Sequence, residues 1–449
     1  LICSPQPQPL ASVPHLHRRL CQAVLTRGSR WLSGCCTPSS VEHRPAKNPD
    51  APKSAPFFEP QIDWESLSDP VRAAAARQNA RQRGADPDLV DAALRLRTES
   101  SDGAAAVAAA ARLPNWTHPD SPVGGEANSR LVRLIGTAPS TEERRGFDAR
   151  TLLQNLRLLA SRNLSLLTGQ RTHYFRGQLA QLETALIGLA LDVAREFGFQ
   201  QIGVPELVPP ELVDACGFAT QGTRSQVFLT GSMALIGTAE IALAGYLAGR
   251  VYRIDQLPVR LCAVSRCYRR EISKVEDAMY RVPQFTKVEL FSLTSPADSE
   301  SEHQRLLSVQ EAILNQLGLH CRLLDMATEE LGNPAYRKFD WEAWLPSEAR
   351  FGEVCSASNC TDYQSRRLGI GLAGTNLGGF PHTLNGTACA ITRTIKALVE
   401  THQCSDGGSV ALPPALAPYM APFTNELTML KRPPMKSMYF ARLKRQPML

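Results

Sequence analysis

Two β-rich runs, residues 259–268 and 284–293, flank a short charged segment, and an antiparallel hairpin is the simplest way to pair them. Side chains alternate along a strand, so Cys267, Arg269 and Glu271 are predicted to share one face of the first strand. On the return strand Phe285, Lys287 and Glu289 share a face, with Val288 and Leu290 on the other. A face carrying Arg, Glu, Phe and Glu makes a poor core. It suits a nucleotide and an amine: Arg for phosphate, Phe for a base, carboxylates for an ammonium or a metal. Spacing alone leaves a second reading open, a solvated face with cross-strand ion pairs.

Around this hairpin the chain reads as α+β. Leu179, Leu182, Leu186, Leu189, Ala190, Val193 and Phe197 fall three and four residues apart, an amphipathic helix closed by Gly198. A short strand at 201–204 ends at Pro205, and helices are expected at 306–317 and 388–401. There is no regular βαβ rhythm, which disfavours a doubly wound parallel sheet. Gly369, Gly371 and Gly374 match G-x-G-x-x-G, but Thr375 to Pro381 cannot open a helix to receive a pyrophosphate. The stretch is predicted to be a flexible hairpin connection.

The 449 residues include 43% hydrophobic and 20% charged, enough apolar material for a packed core. No apolar run approaches the roughly 18 residues of a membrane span, so no membrane association is expected. Of twelve cysteines, only Cys262/Cys267 and Cys355/Cys360 come close enough for local metal ligation, and neither is C-x-x-C. Free thiols in a reducing compartment are expected rather than zinc. The net charge of +6 is uneven. Residues 1–41 hold Arg18, Arg19, Arg27 and Arg30 and no acid, the composition of a mitochondrial transit peptide. Residues 405–449 carry six basic side chains against Asp406 and Glu426, a candidate RNA-contacting tail, which leaves 42–404 slightly acidic. Import into mitochondria would make the sequons at Asn115, Asn163, Asn359 and Asn385 chance matches.

The rest divides into a Pro-rich linker (42–60), a helical region (61–112), a connecting segment (113–174) and a catalytic body (175–404). In the helical region Asp86 or Pro87 opens a helix that Ser100–Gly103 interrupts, and a second runs over 104–112. Each piece is about 15 Å long.

Cys267-Tyr-Arg-Arg-Glu271, a loop, and Tyr280-Arg-Val-Pro-Gln-Phe-Thr-Lys-Val-Glu289 resemble motif 2 of the class II aminoacyl-tRNA synthetases. His382-Thr-Leu-Asn-Gly-Thr-Ala-Cys-Ala-Ile-Thr-Arg393 resembles motif 3 in its seryl form, and Pro205 sits where motif 1 has a dimer-interface proline. Gly237-Thr-Ala-Glu240, Phe351-Gly-Glu-Val-Cys-Ser356 and the stretch from Ser358 to Arg367 are similar to seryl-specific segments. Leu113–Pro119 and Asn333–Trp344 resemble the mitochondrial branch of that family. The resemblance spans roughly 113–403.

It implies a class II antiparallel sheet flanked by helices, a homodimer, and a two-step ligase for ATP, L-serine and serine tRNA in the mitochondrial matrix. ATP binding falls to Arg269, Arg270, Glu271, Val282, Pro283, Gln284, Phe285, Glu353, Val354, Cys355, Ser356 and Arg393. Arg269 and Arg393 act catalytically, on the α- and γ-phosphates, while Phe285 stacks on adenine and Glu271 orients it. Glu353 and Ser356 match positions that hold Mg2+. Serine falls to Thr238, Ala239, Glu240, Glu289, Asn385 and Thr387.

Three departures accompany the resemblance. Pro283 replaces the family's usual His, removing a backbone donor at the adenine site. The loop 272–279 lacks the usual glycine before residue 280. The family's long coiled-coil arm needs on the order of 30 residues per helix, and two short pieces stand in its place; an omitted coding segment is favoured over a reduced arm, the chain starting at Leu1. A second functional class is a synthetase-derived paralogue acting as a binding or regulatory subunit.

Overall fold

The computed structural model describes residues 60–99, 103–138, 146–160, 168–169, 171–222, 225–271, 279–374, 379–420 and 425–430. All of these belong to one compact unit. The expected transit peptide, most of the Pro-rich linker, the hairpin loop 272–278 and the basic residues from Lys431 onward lie outside them.

The helical region holds four helices, α1 (Trp64–Ser68), α2 (Pro70–Gln82), α3 (Asp88–Glu99) and α4 (Gly103–Ala111). The last two match the predicted pieces. The first two were not anticipated from the sequence, although Asp69 caps α2 by accepting from the Arg72 N–H at 2.8 Å and Pro70 occupies its first turn. Further along lie α5 (Ala149–Asn155), α6 (Gln178–Glu196), α7 (Pro210–Ala215), α8 (Ala239–Leu247), α9 (Ser299–Gln316), α10 (Tyr363–Leu368) and α11 (Ile391–His402).

An eight-stranded sheet organises the body. In chain order its strands are β1 (Arg130–Ile135), β2 (Gln200–Gln201), β3 (Val259–Tyr268), β4 (Gln284–Thr294), β5 (Cys321–Asp325), β6 (Arg337–Leu345), β7 (Arg350–Asn359) and β8 (His382–Ala390). Across the sheet they run β1-β5-β6-β7-β8-β4-β3-β2. Every pairing is antiparallel except β2 with β3. The α+β reading and the hairpin both hold. Four details differ from expectation. The short strand is Gln200–Gln201, starting one residue and ending three residues before the predicted 201–204, and β1 comes from the segment expected to be connecting structure. Residues 388–390 finish β8 instead of opening α11. Gly369 is no part of a hairpin: at φ +62° it ends α10, and Gly371–Leu372 pairs in parallel with Val251–Tyr252.

Helices α6, α9 and α11 cover one face of the sheet. Leu182, Leu186, Leu306, Ile313, Ile395 and Leu398 pack there against Leu290, Trp341 and Ala388, all buried. On the opposite face one strand changes character along its length. From Phe285 through Lys287 to Glu289 it is polar; Phe291 and Leu293 are then sealed by α8 through Ile241, Leu243 and Leu247. The polar end is left to form a site. Part of the predicted tail also packs, since Ser409–Ala411 pairs with Glu426–Thr428 and buries Leu416 and Leu427.

Candidate active site

A cavity of about 300 Å³ opens over the polar end of β4, β8, β7 and β6. Three groups of side chains divide it.

At one end Arg269, just beyond the last residue of β3, donates from Nε to the Gly237 carbonyl at 3.2 Å. Its guanidinium lies 5.3 Å from the Phe285 ring centroid, within cation–π range. Backbone bonds fix this corner: the Arg269 N–H donates to the Pro283 carbonyl at 2.9 Å and the Glu271 N–H to the Arg269 carbonyl at 3.0 Å. Arg269 and Glu271 thus reach the cavity from a turn, not from the predicted strand, which stops at Tyr268.

In the second group Arg393, on the first turn of α11, pairs Nη1 with Glu353 Oε2 at 2.9 Å. The same guanidinium lies 4.5 Å from the Tyr280 ring centroid, and the Tyr280 hydroxyl donates to the Glu353 carbonyl at 2.9 Å. Burial works to raise the Glu353 pKa, but Arg393, Lys338 and Arg269 outweigh it and hold the carboxyl well below the usual carboxylate range. Ser356 lies three positions beyond Glu353, an offset that an unbroken strand would send to opposite faces. The register between β6 and β7 slips at this point, from Trp341 opposite Cys355 to Glu342 opposite Glu353. This bulge sets Val354 and Cys355 both buried and brings Glu353 and Ser356 to the same cavity.

The third group is the most enclosed. Glu240, in the first turn of α8, accepts from Gln364 Nε2 at 2.7 Å and Asn385 Nδ2 at 2.8 Å. Burial and the neighbouring Glu289 push its pKa up to about 7, against the pull of Gln364, Lys287 and Arg269. Thr238 caps α8, its hydroxyl accepting from the Glu240 N–H at 3.3 Å. Glu289 is buried and ion-paired with Lys287 at 2.5 Å. A second bulge, at Ala388 of β8, places Thr387 opposite Glu289, so β8 and β4 present hydroxyl and carboxylate together.

Of the residues expected at the site, Arg269, Glu271, Val282, Phe285, Glu353, Val354, Ser356, Arg393, Thr238, Glu240, Glu289, Asn385 and Thr387 line the cavity. The others do not. Ala239 is buried in the α8 core and Cys355 is buried beside the Ala388 carbonyl. Gln284 is exposed, Arg270 binds the Gln226 carbonyl through its N–H, and Pro283 contributes only the carbonyl that accepts from Arg269. Pro205 lies exposed away from the cavity. The sequence did not single out Tyr280, Phe218, Lys338 or the wall at 330–335, which also line it. Lys338 and Asp340 were readable as a polar alternation in an otherwise aromatic strand. Among the described residues no group of three or more His, Cys, Asp or Glu is placed to hold a metal.

The tRNA synthetase class II core domain family (G, H, P, S and T) matches residues 229–402, which include nearly all of these cavity residues. The mitochondrial serine–tRNA ligase of Mus musculus is 40% identical over 385 residues, 80% of this chain and 73% of the mouse protein. That of Bos taurus is 42% identical over 325 residues, 69% of this chain and 62% of the bovine protein. Among solved structures, seryl-tRNA synthetase from Pyrococcus horikoshii complexed with ATP superposes with a TM-score of 0.74 at 25% identity, covering 82% of this chain and all of that one. The chain belongs to the seryl-tRNA synthetase family.

Proposed function

We propose that this protein is a mitochondrial serine–tRNA ligase working in the matrix. In the first step a serine carboxylate oxygen attacks the α-phosphorus of ATP and pyrophosphate leaves, giving seryl-adenylate. In the second, a hydroxyl at the 3′ end of serine tRNA attacks the carbonyl carbon and AMP leaves. The observation that carries this reading is the meeting of three chemically distinct groups in one cavity, drawn from segments as far apart as Thr238 and Arg393.

Neither step needs a nucleophile from the protein, so rate enhancement comes from positioning and charge neutralisation. Phe285 stacks on the adenine while Arg269, beside it, neutralises charge building on the α-phosphate. Arg393 takes the γ-phosphate, exchanging Glu353 for it. Glu240 and Glu289 meet the serine ammonium, and Thr238, Asn385 and Thr387 order the remaining polar atoms. A site that hydrogen-bonds the serine hydroxyl rejects alanine, whose binding would strand buried partners. The Glu353 carboxylate and Ser356 hydroxyl, aimed together by the bulge, are hard oxygen donors that fit Mg2+. Bound there, the cation would supply positive charge against the phosphates.

On the same reading residues 1–41 act as the import signal, 61–112 as the arm region and 175–404 as the catalytic body. The active species is a homodimer with the exposed Pro205 at its interface. The paralogue reading gains nothing from the cavity, where the nucleotide- and serine-facing side chains are intact.

Serine-dependent ATP–pyrophosphate exchange by the purified protein tests this function. Exchange well above a Glu289→Ala control is expected, and none above that control would overturn it. Charging of mitochondrial serine tRNA tests the second step separately.

A further inference from the structure

In the two-step reaction proposed above, the nucleotide and serine use the cavity unevenly. Arg269, Phe285, Glu289 and Thr387 lie on or beside β3, β4 and β8, and Glu353, Ser356 and Arg393 belong to β7 and α11. β6 and the 330–335 segment form the remaining wall. By inter-strand spacing β6 lies roughly 14 Å from β4 across the sheet. Lys338 is the one cation among the described residues on that wall.

Its surroundings are unusual for a lysine. The ammonium is partly buried beside the buried Asp340, Nζ to Oδ2 at 2.8 Å. Burial alone would lower its pKa, but Asp340 and Glu353 outweigh burial and keep it charged. An ammonium has three N–H donors, and Asp340 is its hydrogen-bonding partner among the described residues. The Oδ1 oxygen of Asp340 is buried and has no hydrogen-bond partner among the described residues. Lys338 stands opposite Ser358 in the β6–β7 ladder, and Ser358 stands opposite Asn385 in the β7–β8 ladder. That row of cavity residues leads straight to the Glu240 pocket, through Asn385.

We propose that Lys338 binds a phosphate oxygen of the 3′-terminal nucleotide of the tRNA, guiding its hydroxyl to the seryl-adenylate. The acceptor strand is the one polyanionic reactant that the Arg269 and Arg393 subsites leave unaccommodated, and it must approach over the wall that adenine and serine do not occupy. Lys338 is accordingly a binding residue of the transfer step.

The test separates the two steps. Lys338→Met, Lys338→Arg and the double variant Lys338→Met/Asp340→Asn are compared with wild type in ATP–pyrophosphate exchange. They are then compared in single-turnover transfer from preformed seryl-adenylate to transcribed mitochondrial serine tRNA. The double variant avoids leaving a buried unpaired carboxylate and guards against simple misfolding. The expected result is a fall of at least about tenfold in the ratio of transfer to exchange for both Met variants, the cost of one lost charge-assisted hydrogen bond, with Lys338→Arg restoring most of it. Transfer and exchange falling in parallel would place Lys338 on ATP and overturn the proposal, as would an unchanged ratio. Absence of exchange in wild type would instead overturn the synthetase reading itself.

Discussion

Arg393 Nη1 and Glu353 Oε2, 40 residues apart in sequence, stand 2.9 Å apart across the cavity. The pair satisfies each group, and the proposed reaction gives each a separate partner, the γ-phosphate for Arg393 and Mg2+ for Glu353. The helix carrying Arg393 is held by a second ion pair: fully buried Lys396, one turn on, bridges Glu400 at 2.6 Å and Glu348 at 2.9 Å.

Removing the cation should therefore hurt more than neutralising its partner. Arg393→Gln is expected to lower exchange by about 100-fold, as losing one preorganised charge contact does. Glu353→Gln should chiefly raise the Mg2+ concentration giving half-maximal exchange. Its carboxyl is held below its ordinary value, so the stability it contributes is present above about pH 4.5 and fades as pH falls towards its folded-state value. Glu353→Gln should flatten that acid limb in thermal melts taken between pH 3 and 6.

Phe285 and Arg269 make a second, independent prediction. Ring and charge lie side by side, the guanidinium 5.3 Å from the ring centroid, and on the proposed reading Phe285 stacks a base while Arg269 meets phosphate. Phe285→Ala should raise the ATP KM about tenfold, from a lost stacking contribution of about 1–2 kcal/mol. Phe285→Tyr should stay near wild type. Equal losses for the two variants, measured by exchange at varied ATP, would contradict a stacking role.

How far such a site can be read from residues alone depends on register. Phe285, Lys287 and Glu289 were legible because β4 is regular there, and period two carried them to one face. Glu353 with Ser356 was not legible from spacing: three residues along an ideal strand point apart, and only family resemblance joined them. The β6–β7 bulge supplies the physical reason, and nothing in Glu353-Val-Cys-Ser356 announces a bulge. Ala388–Ala390 misled in the opposite direction, since their helical propensity is overridden by pairing with Lys287 and Val288. Lys338 escaped because its partner Asp340 lies two residues on in its own strand, a polar pair that resembles ordinary solvated alternation.

Asn115 shows a buried polar residue serving the fold. Its amide nitrogen donates to the Pro334 and Cys360 carbonyls, both at 2.8 Å, and to the Thr361 hydroxyl at 3.0 Å. Asn79 and Arg83, at the end of helix α2, donate to the Asn115 carbonyl. Asn115→Ala should cost about 2–4 kcal/mol by stranding buried acceptors, read as a lowered midpoint in denaturant unfolding. Burial of this amide also fits the view that its sequon is a chance match.

Glu240 gives the sharpest pH test. Its folded pKa of about 7 lies above the ordinary 4.5, so between these values the folded protein binds a proton that the unfolded chain gives up. Folding stability contributed by this group therefore falls as pH rises from about 4.5 to 7 and is flat beyond. Over that window the loss is about 2–4 kcal/mol, at 1.36 kcal/mol per pKa unit. Glu240→Gln keeps the side chain's shape, removes the titration, and should be more stable than wild type at pH 8 while matching it near pH 4.5. On the proposed reading serine reverses the preference, because its ammonium beside Glu240 favours the carboxylate. The serine KM in exchange should fall as pH rises from 6 to 8 in wild type, over and above any change in kcat. In Glu240→Gln the serine KM should be high and independent of pH across that range. A variant that kept the wild-type pH profile would show that another group binds the ammonium.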